Sequence, residues 1–330
     1  MSLNLRTRII GTGSYLSGEL LTNHDLEKMV DTSDEWIVER TGIRERHVTP
    51  KGLATSDMGA AALRNAMEMA GLGPNDLDMI ICGTVTPDRP LPATATLIQN
   101  KIGASNNCAA FDISAACAGF LFSLNIADSF IRQGFARHIG VIGAEALTRM
   151  VDFEDRTTCV LFGDGAGAVV VTGDDSGRGV LSSHLFSDGT LADALVVHAG
   201  GSAEPATAET VAAKRHFIRM NGREVFKSAV RCLSDASMKA IEHNGLTPDD
   251  ISWVVPHQAN LRILDGVAKR IGIPTEKFIL NLARVGNTSS ASIPIALDEA
   301  VRADTVKEND IILMCALGGG ISWGSAILRW

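Results

Sequence analysis

No two of the six cysteines (Cys82, Cys108, Cys117, Cys159, Cys232 and Cys315) form a C-x-x-C pair, and no cluster with metal-ligand spacing is visible. Neither a disulfide framework nor a zinc site is expected, and the usage fits a reducing, cytoplasmic compartment. Positive charge is scarce. The net charge is -8 and the isoelectric point is near 5.5, so nothing general favours nucleic-acid binding and any basic partner surface must be local. The N-terminus lacks the apolar region of a secretory signal: Arg6 and Arg8 lead almost at once into strand-like Ile9-Ile10, and no leader is expected. The glycines at 11 and 13 fall short of a dinucleotide fingerprint, because Leu16 stands where the third should be. The 18 uncharged residues from Ile311 to Leu328 reach the nominal length of a membrane helix. They hold Gly318, Gly319, Gly320 and Gly324 with Ser322 and Ser325. Two short strands around a glycine turn fit better, and no membrane partner is expected.

What is present is enough for roughly two domains: 330 residues, of which 45% are hydrophobic. The stretch Phe111 to Phe122 gathers small residues about Cys117. After it, Phe120, Leu121, Leu124, Ala127, Phe130 and Ile131 recur close to a helical period, which predicts a helix from Ala115 to Ile131. Asp112 and Ser114 offer capping oxygens, and Gly134 ends the run. Cys117 then falls in the first turn, where unpaired N–H groups and the helix dipole favour its thiolate. The alternative is a small core residue that merely packs.

Thr32 to Arg46, with Trp36 and Arg40, reads as a short helix and loop. Thr55 to Gly71 is a helix with Met58, Ala62, Ala66 and Met69 on one face, and Leu77 to Val85 is a buried strand. A repeat then appears. Residues 71–81 match residues 245–255, an offset of 174. The same offset carries Cys117 to Ala291, inside Gly286-Asn287-Thr288-Ser289-Ser290-Ala291-Ser292, and strand-like 139–142 to 313–316. Residues 162–170 and 321–328 close the two halves similarly at a shorter spacing, which places an insertion between 147 and 162. Two copies of one strand–helix unit follow, with continuous apolar strands that imply an α/β class. The halves are residues 1–175 and 176–330, breaking near Gly173 to Gly179. A cap or loop insertion rich in Ala, Gly and Ser, about 183–219, has no counterpart.

Three residues sit at loops of the repeated units: Cys117, His257 after Trp253-Val254-Val255-Pro256, and Asn287. Sites in open α/β sheets form beyond the carboxyl ends of strands. A nucleophile, an imidazole and an amide donor make an acyl-transfer set, to which Gly318-Gly319-Gly320 adds a backbone N–H for an oxyanion. Taken singly, His257 can cap a strand end, Asn287 can be a turn residue and the glycines a hairpin.

Six motifs resemble β-ketoacyl-acyl-carrier-protein synthase III, in order along the whole chain. They are Asp31-Thr32-Ser33-Asp34-Glu35-Trp36-Ile37, Thr41-Gly42-Ile43-Arg44-Glu45-Arg46, Ala115-Ala116-Cys117-Ala118-Gly119-Phe120, Phe162-Gly163-Asp164-Gly165-Ala166-Gly167, Pro256-His257-Gln258-Ala259-Asn260 and Gly286-Asn287-Thr288-Ser289. The resemblance implies a thiolase-like, five-layered α-β-α-β-α fold in a homodimer. It implies that Cys117 takes the acyl group from an acyl-CoA primer, acetyl-CoA or somewhat longer. Malonyl-acyl-carrier-protein then loses CO2, His257 and Asn287 stabilise the enolate, and the carbanion attacks the acyl-cysteine. Type II fatty-acid synthesis starts this way, without a cofactor. The N–H groups of Cys117 and Gly319 match the oxyanion hole. Trp36, Arg156, Arg40 and Asn260 match the surroundings of CoA. Arg223 stands where some relatives carry a CoA-contacting asparagine. Leu91 matches a position lining the partner subunit's acyl pocket, where leucine in place of an aromatic leaves primer length open.

Between Lys214 and Arg231, six basic residues (Lys214, Arg215, Arg219, Arg223, Lys227 and Arg231) face Glu224 alone. Arg223, Lys227 and Arg231 share one helical face. Such a row is usually a solvated face, but it also suits an acidic acyl carrier protein, with Arg262, Lys269 and Arg270 extending it. Three rival readings remain: a condensing enzyme or acyltransferase of secondary metabolism using a longer acyl group, a papain-like thiol hydrolase, and a non-catalytic nucleotide-binding or structural protein.

Overall fold

A computed structural model gives the fold and describes residues 5–330. The expectation about the extreme N-terminus lies partly outside these residues. Two sheets carry the architecture. The first runs Arg6–Tyr15, Asp164–Asp174, His138–Ala146, Met79–Gly83, Ala109–Ile113. Its first two pairings are antiparallel and its last two parallel. The second runs Gly179–Ser187, Ser322–Arg329, Ile311–Gly318, Trp253–Pro256, with the same sequence of directions. A parallel bridge from Val254 to Phe278 stands where the first sheet has its fifth strand.

Both faces of these strands are covered, because side chains alternate along apolar runs. Val169 and Val171 join Phe120 and Leu124 in a core between the sheets, whereas Val170 joins Met58 and Leu63 in an outer core. Ile312 and Met314 likewise face the middle, and Leu313 and Cys315 face outward. The helices Gly119–Arg132 and Ser292–Arg302 fill the middle layer. Thr55–Ala70 and Thr94–Ile102 cover the first sheet, while Gly222–His243 and Leu261–Ile271 cover the second. The result is the five-layered α-β-α-β-α duplication expected from the sequence.

The repeat holds in detail. Gly71 and Gly245 end equivalent helices at φ 67° and 66°. Each precedes a 3-10 turn, Pro74–Asp76 or Pro248–Asp250, and then a strand. Beyond that point the register slips. Met79 pairs with Ile139 but Trp253 with Ile312, one residue shorter. The turn Ala116–Ala118 therefore matches Ser289–Ala291, and the counterpart of Cys117 is Ser290 rather than Ala291.

Three local expectations change. The helix after Cys117 starts at Gly119, and Cys117 itself lies in the 3-10 turn before it. Asp112 does not cap that helix: its carboxylate accepts the Thr94 and Ala95 N–H groups at 2.6 and 2.7 Å and caps Thr94–Ile102. The strand Gly179–Ser187 takes up the first residues of the expected insertion, so the flap begins at Gly189. In the flap, Leu195–Val196 pairs with Arg219–Met220. Among the described residues no helix is long and apolar enough to cross a membrane. Ile311 to Leu328 supplies two strands of the second sheet.

Candidate active site

Cys117, His257 and Asn287 line one cavity of about 210 Å³. A second lobe of about 470 Å³ also reaches Cys117 and is lined by Leu147, Phe162, Leu195, Ile218 and Gly319. The flap residues Leu195, Ile218 and Met220 thus roof the site.

Cys117 follows the strand Ala109–Ile113 and the left-handed residue Ala116, φ 46°. It is 7% exposed. Burial pushes its thiol up to about 12, the Glu145 charge acts in the same direction, and the Ser289 hydroxyl and its own N–H oppose them. The expected resting thiolate is therefore not what this cavity favours: desolvation of the anion outweighs the donors around it, and the sulfur rests as a thiol.

His257 ends the strand Trp253–Pro256, and its N–H donates to the Cys315 carbonyl at 2.8 Å. Its Nδ1 lies 2.7 Å from Ser292 Oγ. Ser292 Oγ donates to the Ser289 carbonyl at 2.8 Å, and a carbonyl only accepts. That carbonyl also accepts the Ser292 N–H, so the hydroxyl proton can turn to Nδ1 instead; the ring proton sits on Nδ1 in the first arrangement and on Nε2 in the second. Burial pushes the ring down to about 3, so it is neutral. Asn287 is anchored by its N–H on the Leu161 carbonyl, while its Oδ1 accepts the Ser289 N–H at 2.9 Å. The amide nitrogen is left to donate.

Gly318 explains why the glycine turn must lie where it does. A Cβ there would stand 2.4 Å from the Cys117 nitrogen, so only glycine admits this approach. Gly319 and Gly320 line the second lobe beside Cys117.

The mouth of the first lobe carries Trp36, Arg40, Arg156 and Asn260. The guanidinium carbons of Arg156 and Arg40 lie 5.4 and 5.8 Å from the Trp36 ring centroid, within cation–π range. Asn260 has a structural duty as well. Its Oδ1 caps Leu261–Ile271 through the Arg262 N–H at 2.9 Å, and its Nδ2 donates to the Arg40 carbonyl at 3.0 Å. Leu91 does not line its own chain's cavity and is 83% exposed.

The basic stretch is weaker than its residue count. Lys214 and Arg219 pair with Asp152, Glu154 and Asp155; Arg215 pairs with Glu204, and Arg270 with Asp235. Among the described residues, Arg223, Lys227, Arg231, Arg262 and Lys269 have no acidic partner. They are exposed on two helices whose buried sides reach the cavity. The sequence reading missed Glu145, and it named Ser289, Ser292 and Gly318 only as members of longer motifs. Glu145 had a signal: a carboxylate inside an apolar strand is rarely left without partners.

The duplicated five-layer architecture is that of the thiolase-like condensing enzymes. The sequence family described as 3-oxoacyl-[acyl-carrier-protein (ACP)] synthase III matches residues 111–189, and its C-terminal counterpart matches residues 241–330. A β-ketoacyl-[acyl-carrier-protein] synthase III of Caldanaerobacter subterraneus subsp. tengcongensis is 52% identical over 98% of this chain and 97% of its own. One from Natranaerobius thermophilus is 49% identical over 98% and 99%. The crystal structure of 3-oxoacyl-[acyl-carrier-protein] synthase III from Aquifex aeolicus VF5 superposes with a TM-score of 0.91 at 47% identity, over 98% of this chain and 100% of that one. The chain belongs to the β-ketoacyl-[acyl-carrier-protein] synthase III family.

Proposed function

We propose that this chain condenses an acyl-CoA primer with malonyl-acyl-carrier-protein, releasing CoA and CO2 and starting type II fatty-acid synthesis. The observation that carries the reading is the single cavity shared by Cys117, His257 and Asn287 beneath a mouth of Trp36, Arg40 and Arg156. The two arginines and the indole suit the phosphates and adenine of CoA. Cys117 Sγ attacks the thioester carbonyl while its proton passes to Nε2 of His257, bare when the ring proton sits on Nδ1. The N–H groups of Cys117 and Gly319 receive the oxyanion, and CoA leaves as a thiolate that takes the proton back from Nε2 of His257.

Malonyl thioester then enters. Breaking its bond to CO2 leaves an electron pair on the α-carbon, delocalised onto the thioester oxygen. With the Ser292 hydroxyl turned to Nδ1, the neutral His257 ring carries its proton on Nε2, and this N–H and the Asn287 amide donate to that oxygen. The carbon forms its bond to the acyl carbonyl, and Cys117 sulfur departs as a thiolate that takes a proton from water. This sequence needs no cofactor, since decarboxylation itself supplies the nucleophile.

A homodimer fits two features. The first sheet ends on Ala109–Ile113, an edge strand with an unpaired side. Leu91 is exposed and lines neither lobe of its own cavity, which suits a residue serving a partner's acyl lobe. Six free cysteines suit a cytoplasmic enzyme. The exposed Arg223, Lys227, Arg262 and Lys269, with Arg270 beside them, form the docking face for the acidic carrier protein.

The test is mass spectrometry after mixing the chain with acyl-CoAs of increasing length. One acyl group per chain is expected, on Cys117, absent in Cys117→Ala and discharged by malonyl-carrier protein. The length that labels fastest identifies the primer. A chain left unlabelled by every acyl-CoA overturns the reading.

A further inference from the structure

Glu145 is fully buried at the end of the strand His138–Ala146, and the two-step chemistry above gives it no task. Its carboxylate gathers donors from two segments. Oε1 accepts from Ser289 Oγ at 3.1 Å and from Ser290 Oγ at 2.9 Å, the latter shared with the Gly83 carbonyl at 2.8 Å. Oε2 accepts from Thr86 Oγ1 at 2.7 Å, the Val85 N–H at 3.1 Å and Thr84 Oγ1 at 3.3 Å. The threonines and Val85 follow the strand Met79–Gly83 in one half; the serines open the turn Ser289–Ala291 in the other. Glu145 is thus a clasp between the halves beside the cavity.

The residue it clasps is unusual. Ser289 has φ 52°, a left-handed conformation that a non-glycine residue keeps only where its surroundings impose it. Its N–H holds the Asn287 side-chain oxygen at 2.9 Å, and its hydroxyl lies against the Cys117 sulfur. An amide whose oxygen is fixed in this way has one face left, its N–H2, to turn toward the cavity. Should Ser289 relax to an ordinary φ, its N–H would swing away from Asn287 and free the amide to flip.

We propose that Glu145 is a positioning residue: by holding the Ser289 and Ser290 hydroxyls it keeps the Asn287 amide oriented to donate, and so serves the decarboxylative step rather than acylation. This rests on the two-step reading above. Burial pushes this carboxyl up to about 7 against the pull of the Thr86, Val85, Ser290 and Ser289 donors, and the ionised form, which only accepts, suits the task because hydroxyl and N–H donors surround it. Glu145→Gln keeps the shape but sets an N–H2 group among those donors, so at least one bond must be given up.

The two half-reactions are measured separately in E145Q and in the wild type. Decarboxylation of malonyl-carrier protein is expected to fall 30-fold or more in kcat with KM nearly unchanged, on the scale of one misaligned oxyanion donor, about 100-fold. Acylation of Cys117 by acyl-CoA stays within about threefold or quickens, since a negative charge near the sulfur is lost. Ser290→Ala, which leaves the Ser289 bond intact, costs decarboxylation less than E145Q does. A direct readout is the Asn287 side-chain amide signal in 15N-resolved spectra. It should shift or broaden in E145Q and in Ser289→Ala, and stay sharp in Ser290→Ala. Unchanged decarboxylation in E145Q, equal loss of both half-reactions, or an undisturbed Asn287 amide overturns the proposal. If E145Q does not fold, the amide signal and decarboxylation rate of Ser289→Ala decide. A wild type that never acylates overturns the functional reading instead, and the amide signal still tests the link from Glu145 to Asn287.

Discussion

At the scale of single residues, burial sets protonation states that spacing along a chain does not reveal. Cys117, His257 and Asn287 were legible because each stands in a loop of a repeated unit. That the sulfur rests as a thiol was not legible, because the helix dipole is visible in a sequence pattern and the depth of a cavity is not. The same burial makes His257 a pH probe. Its folded value is about 3 against an ordinary 6.5. Between those values the unfolded chain binds more protons than the folded one, so stability present above pH 6.5 is lost as pH falls through the window. Between pH 7 and pH 5 this amounts to about 2 kcal/mol. Urea unfolding of the wild type and of His257→Gln at both values checks it. The stability difference between the two proteins should shift by that amount on acidification, to the disadvantage of the wild type. A difference that stays constant means that the ring titrates as a solvated histidine does.

At the scale of elements, the helices and strands flanking the site followed the apolar period closely, and the departures have identifiable causes. Asp112 looked like a cap for the helix that follows it. A parallel strand instead carries its carboxylate to the N-terminus of Thr94–Ile102, a partner distant in sequence. The repeat offset slipped by one residue because spacing between paired strands is fixed by sheet register, which a linear alignment does not contain. The basic stretch illustrates the same limit: acidic residues at 152, 154, 155, 204 and 235 fold onto it and quench Lys214, Arg215, Arg219 and Arg270. What remains is a smaller face on Gly222–His243 and Leu261–Ile271, with Arg223, Lys227 and Arg262 exposed. Charge reversal of Lys227 and Arg262 together is expected to raise the apparent KM for malonyl-carrier protein several-fold at low salt and leave the acyl-CoA step unchanged. Exposed charges steer association and are screened. The effect should fade toward 1 M salt, where the screening length is about 3 Å. Reversal of Arg215, already paired with Glu204, is the control. Equal kinetics of the double variant and the control at low salt would remove the docking face from these helices.

At the scale of the whole molecule, the duplication places every proposed catalytic side chain within one chain, yet Leu91 stands apart from them. Leu91 is 83% exposed, which a single surface leucine can be in a monomer as well, so its proposed place in a partner's lobe needs its own test. If it closes the acyl lobe of a second copy, it sets primer length from across the interface. Leu91→Trp should then narrow the lobe and shift the mass-spectrometric preference toward the shortest acyl-CoA. A mixed dimer separates action across the interface from action within a chain. Leu91→Trp is paired with a Cys117→Ala chain, the two carrying different affinity tags. The only intact sulfur belongs to the Leu91→Trp chain, and the lobe beside it is closed by the partner's unaltered leucine. Across-subunit action predicts that this dimer accepts the same longer primers as the wild type, while the Leu91→Trp homodimer rejects them. Rejection by both would place Leu91 in the service of its own chain. A protein that elutes as a monomer while fully active would remove the shared pocket altogether.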